Sequence, residues 1–125
     1  MALGAGATAS NTSAYSAGQG AIASGANAMA LGTQSSASND SSYAAGHYAN
    51  ASGANATALG TKANASANDA YAVGFNANAS ANNALAFGTQ AYASGVNSFA
   101  TGANAVATGL NSMALGANEI GRAHV

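Results

Sequence analysis

Bulky apolar side chains recur along this chain in pairs two residues apart, with one small residue between them. Met29-Ala30-Leu31, Tyr71-Ala72-Val73, Leu85-Ala86-Phe87 and Met113-Ala114-Leu115 are the clearest cases. That alternation is strand spacing, since a helical face would repeat at three and four residues. The pairs return every 14 residues, each followed by a glycine: Gly4, Gly18, Gly32, Gly46, Gly60, Gly74, Gly88, Gly102 and Gly116. With that glycine as column 1, the pairs occupy columns 12 and 14, and column 13 is Ala in every complete unit except for Ser16. Column 6 is Ala from Ala9 to Ala107, and column 7 is Ser from Ser10 to Ser94, then Thr108.

Ala favours helix and 14 residues equal two heptads, so a helical reading must be weighed. Two observations defeat it. The bulky residues do not fall at a and d positions, and each interior glycine would cost a helix ~1 kcal/mol. The pattern predicts an all-β fold, a parallel β-solenoid of about eight to nine coils. Each coil has a first strand over columns 4–7, as in Ala105-Val106-Ala107-Thr108, and a second over columns 11–14, as in Ser112-Met113-Ala114-Leu115.

Alternation puts columns 12 and 14 on one face of the second strand, and columns 11 and 13 on the other. Burial of bulk predicts that columns 12 and 14 fill the coil interior. Tyr15, Tyr43 and Tyr71 would then be core residues whose hydroxyls reach a turn, in preference to a sugar-stacking platform. The Ala of columns 4 and 6 would oppose them in a thin roll. Column 5 varies freely, as an outer face would, through Asn50, Asn64, Asn78, Tyr92 and Val106. Column 13, left facing outward, needs a close protein neighbour to explain why it stays small. Ala30, Ala44, Ala58, Ala72, Ala86, Ala100 and Ala114 are therefore the candidate interface.

The turns are punctuated by residues that tolerate positive φ. Column 8 is Gly25, Gly53, Gly95 or Gly109 in four coils and Asn11 or Asn39 in two. Where Ala67 and Ala81 stand there instead, Asn68 and Asn82 follow and could take the left-handed position. Column 10 holds Asn27, Asn55, Asn83, Asn97 and Asn111, with Ser13, Ser41 and Asp69 elsewhere. Such residues bond nearby backbone, and stacked Asn columns are a structural device of cross-β packing.

Composition narrows the function classes. Ala accounts for 38 of 125 residues, and only 23 larger apolar or aromatic residues remain. So little bulk leaves an isolated roll marginal against the entropy of ordering its backbone, which favours self-association. Two basic and three acidic residues give a net charge of −1, so no cationic cluster exists to hold nucleic acid or an anionic membrane. There is no Cys, hence no disulfide and no thiolate chemistry. No apolar run has the ~18 residues of a membrane span.

The units resemble the head repeats of trimeric autotransporter adhesins, the YadA-like head, whose signature is Asn-Ser-x-Ala-(Leu/Ile/Val)-Gly at about 14 residues. It stands here as Asn111-Ser112-Met113-Ala114-Leu115-Gly116 and Asn97-Ser98-Phe99-Ala100-Thr101-Gly102. Looser copies run Asn27–Gly32, Asn55–Gly60 and Asn83–Gly88, while the units at Ser13 and Ser41 depart most. The resemblance implies a left-handed parallel β-roll, although general topology favours right-handed crossovers. It further implies three chains side by side as a homotrimer, displayed from the outer membrane of a Gram-negative bacterium. Its partners would be extracellular matrix proteins such as collagen, or other host surface ligands. Residues 1–125 read as one head domain excised from a longer surface protein, without stalk or membrane anchor.

Catalytic and cofactor chemistry finds no foothold in the sequence. His47 and His124 lie in unrelated columns, Asp40 and Asp69 sit near turns, and no His–Asp pair is placed to activate the many Ser. No metal ligands cluster, so neither an enzyme nor a cofactor is expected. Glu119, Arg122 and His124 mark the expected exit from the roll, because Gly121 and Arg122 break columns 6 and 7. The rival readings are an ice-binding solenoid, whose regular Thr ladder is missing, and an architectural spacer. An adhesin head, binding partners on the column 5 face, fits best.

Overall fold

The computed structural model describes residues 1–122 as a parallel β-solenoid of about nine turns, with no helix among them. Strands such as Tyr71–Val73, Leu85–Phe87 and Phe99–Thr101 stack into one nine-stranded sheet, the second-strand sheet. Strands such as Asn64–Ala65, Asn78–Ala79 and Tyr92–Ala93 form the other nine-stranded sheet, the first-strand sheet. Registers are offset by one repeat throughout. Tyr71, Ala72 and Val73 pair with Leu85, Ala86 and Phe87, and Asn64 and Ala65 pair with Asn78 and Ala79. The roll runs on past Glu119, since Ile120 and Gly121 still pair with Val106 and Ala107. The expected exit there is therefore displaced beyond Gly121, and His124 lies outside the described residues.

Each coil is two equivalent halves of seven residues. In both, a four-residue turn closes by a backbone bond from its fourth N–H to its first carbonyl: Ala63 to Gly60 (3.1 Å) on one side, Ala70 to Ala67 (3.3 Å) on the other. The third residue of each turn has positive φ, as a type II turn requires. Those residues are columns 3 and 10, among them Lys62 (φ 62°), Asp69 (φ 56°), Asn76 (φ 56°) and Asn83 (φ 59°). The left-handed positions are thus not in column 8 as expected. Gly25, Gly53 and Gly95 serve there for space, because a Cβ would lie 2.0 Å from a carbonyl oxygen of the next coil. Column 1 has both needs: Gly74 holds φ +133°, and a Cβ on it would lie 2.6 Å from the Gly88 oxygen.

The interior inverts the expectation drawn from bulk. Columns 4, 6, 11 and 13 face inward, and the core is alanine: Ala63, Ala65, Ala70 and Ala72 of one coil are all fully buried. The largest fully buried side chains are serines, Ser16, Ser35, Ser42, Ser98 and Ser112. Columns 12 and 14 point outward, leaving Leu3, Met29, Tyr71, Met113 and Leu115 exposed and the paired residues of the other coils half-buried against their neighbours. The physical reason is the tightness of the two turns, which bring the sheets so close that only a methyl or hydroxymethyl fits between them. Bulk can be carried only outside.

Candidate binding and assembly surfaces

Three outward surfaces follow from this geometry. The first is the outer face of the second-strand sheet, two parallel files of apolar side chains. Column 12 runs Tyr15, Met29, Tyr43, Thr57, Tyr71, Leu85, Phe99 and Met113, and column 14 runs Ala17, Leu31, Ala45, Leu59, Val73, Phe87, Thr101 and Leu115. Bulk within each coil is shared between the files: Tyr15 and Tyr43 sit beside Ala17 and Ala45, and Phe99 beside Thr101. Phe87 and Phe99 meet edge to face on adjacent coils, with centroids 5.9 Å apart. A contiguous apolar strip of this kind on one face marks an interaction surface.

The same geometry corrects the interface expected from the alanine column. Ala30, Ala44, Ala58, Ala72, Ala86 and Ala100 have no exposed area, and Ala114 is 2% exposed, within a single chain. They have nothing left to bury against a second copy. Their smallness answers to the opposite wall of their own coil. The three tyrosines likewise lie outside the core that they were expected to fill.

The second surface is the outer face of the first-strand sheet, where column 5 stands outward as expected. The Asn50 amide nitrogen donates to the Asn64 side-chain oxygen and the Asn64 nitrogen donates to that of Asn78, each at 3.0 Å. Tyr92 and Val106 continue the file in register. The third is the ridge along the columns 8–11 turns. There Asn83 donates to Asn97 and Asn97 to Asn111, both at 3.2 Å, and Asn55 donates to Asp69 at 3.1 Å. The stacked Asn columns are scaffold ladders of the sort expected. Each donating amide trades its water partner for a side-chain oxygen one rung away.

Among the described residues no cavity and no cluster of metal-ligating side chains occurs. His47 packs edge to face on Tyr48 at 4.4 Å, on the turn opposite to that bearing Asp40. The hydroxyls of Ser16, Ser98 and Ser112 are sealed inside the alanine wall.

The family model of the YadA head domain repeat, which spans two copies of the repeat, matches the chain at residues 9–35, 23–42, 37–63, 65–91 and 93–118. These overlapping and adjoining matches cover most of the sequence. The chain belongs to the YadA head-repeat family. YadA head repeats are adhesin modules of the trimeric autotransporter type, displayed at the cell surface. The 14-residue coil is thus the structural form of the YadA repeat in this chain. No curated protein matches it.

Proposed function

We propose that this chain is part of a homotrimeric adhesin head whose three rolls associate through the outer face of the second-strand sheet. The head is displayed from the outer membrane of a Gram-negative bacterium and binds host matrix or surface partners without catalysis. The observation that carries this reading is the division of labour between columns. The interior takes only Ala and Ser, while nearly all the bulk of the second strand is held outside on one face. Such a strip stabilises the molecule only when covered, at roughly 25 cal/mol per Å² of apolar area removed from water.

Replacing Leu85 and Phe99 together by Arg tests the assignment. Neither side chain is needed inside the coil, and both face the strip. The double variant is expected to shift from trimer to monomer in sedimentation analysis while retaining a β-type circular dichroism spectrum. A variant that stays fully trimeric overturns the assignment.

With the second-strand faces turned toward the trimer axis, the first-strand faces look outward. Asn50, Asn64, Asn78, Tyr92 and Val106 then form the partner-binding file, repeated three times around the head. An extended and repetitive ligand such as collagen suits a ladder with a rung every ~4.8 Å.

A further inference from the structure

We propose that three successive rungs of column 5, Asn50, Asn64 and Asn78, are N-glycan acceptors with a saccharide at alternate rungs, so that the file proposed above for partner binding presents sugar as well as bare side chains. The chain carries six Asn-x-Ser/Thr sequences, at Asn11, Asn39, Asn50, Asn55, Asn64 and Asn78. That pattern is the acceptor signature for N-linked glycosylation and requires a surface position. The structure separates the six. Asn11 and Asn39 open turns, where their side-chain oxygens accept the backbone N–H of Thr12 and of Asp40 at 2.8 and 2.9 Å, and Asn55 relies on Thr57, which lies in the apolar strip. Asn50-Ala51-Ser52, Asn64-Ala65-Ser66 and Asn78-Ala79-Ser80 occupy three successive rungs of one sheet. In each, the middle Ala is fully buried, so the Asn and the hydroxyl residue two positions on both point outward.

Two further features fit acceptance of a sugar. Ser66 and Ser80 are exposed, and their hydroxyls make no hydrogen bond among the described residues. The ladder also runs one way. Asn50 and Asn64 each donate an amide hydrogen up the file, whereas the Asn78 nitrogen makes no such donation among the described residues. Transfer would join the Asn side-chain nitrogen to the anomeric carbon of a nucleotide-activated hexose. The bond from that carbon to the nucleotide diphosphate breaks, the diphosphate leaves with the electron pair, and the nitrogen gives up one proton to the transferase.

Rung spacing then limits occupancy. Successive Asn stand ~4.8 Å apart, which is narrower than a pyranose ring with its hydroxyls. Neighbouring rungs cannot both carry one. Asn50 with Asn78, or Asn64 alone, are the filled states.

Cleavage after lysine and arginine provides the test, because Lys62 and Arg122 are the only such residues. Peptide 63–122 contains two of the six acceptors, Asn64 and Asn78. Mass spectrometry of this peptide, from the full protein recovered from its native host, is expected to show a shift of one saccharide and no more. A Ser66→Ala, Ser80→Ala double variant is expected to lose that shift while keeping its β-type spectrum. An unmodified wild-type peptide, two saccharides on it, or a shift that survives in the double variant overturns the proposal. None of these readouts depends on the trimer or on any adhesive partner.

Discussion

A single methyl group decides what can stand at an inward position of this roll. Ala72 is fully buried between the walls of its own coil, and Tyr71, next to it, is 41% exposed on the outside. Overpacking a close-fitted core costs typically 1–3 kcal/mol, and here no side chain larger than serine is accommodated at full burial. Ala72→Leu should therefore lower unfolding stability by about 3 kcal/mol or more, whereas Tyr71→Leu should cost less than ~1 kcal/mol. Denaturant titration of both variants checks the contrast. Equal losses would return the bulk to the interior. Serine is the one polar residue the wall admits: Ser42 donates its hydroxyl to the Asn39 carbonyl at 2.6 Å and Ser35 to that of Gly32 at 2.9 Å.

At the scale of the element, the coil rests on two tight turns and the ladders that stack them. Gly74→Val would strain a backbone at φ +133° and drive a Cβ to 2.6 Å from the Gly88 oxygen. Strain at such a φ costs ~1–3 kcal/mol before the clash is counted, so the total should exceed ~4 kcal/mol. Asn64→Ala removes two half-exposed ladder bonds, worth roughly 1 kcal/mol each. Thermal unfolding should rank the glycine variant well below the asparagine one, and equal shifts would contradict the role given to column 1. The coil, its period, its two strands and its outward column 5 are all legible in the sequence, because they depend on spacing alone. The direction of the second strand is not. Bulk is normally a sign of burial, and that rule misplaces columns 12 and 14. The better signal is the likeness of the half-coils: Ala in columns 4 and 6 is matched by Ala or Ser in columns 11 and 13. Two turns of the same kind must point both pairs the same way. Column 8 misleads about the left-handed positions for a related reason. Glycine ordinarily marks positive φ, whereas here it answers to the close approach of the next coil.

Across the whole molecule, charge is so sparse that attachment to a partner must rest on repetition. Few groups exist for salt to screen, and in the proposed trimer weak contacts repeated along three rolls would multiply through effective concentration. Under the proposed function, binding of the proposed trimer to collagen, followed by surface plasmon resonance, should change little between roughly 0.05 and 0.5 M salt. Replacing Asn64, Asn78 and Tyr92 together by Ala should weaken it by at least roughly tenfold, the effect of about 1.4 kcal/mol. Loss of binding at high salt, or full binding by the triple variant, would remove the column 5 face from the reading.

The uniform alanine wall also bears on how such a protein can vary from one generation to the next. Every coil meets its neighbours through the same backbone circuit and the same inward methyls, so no interior residue is fitted to one unique partner. Removing or copying a whole repeat, such as Thr61–Gly74, rejoins column 1 to column 2 and leaves the remaining walls unchanged. Tandem repeats invite that kind of slippage and unequal exchange in the gene. A core built of interchangeable parts turns such genetic accidents into changes of reach, lengthening or shortening the head without any need to evolve a new fold.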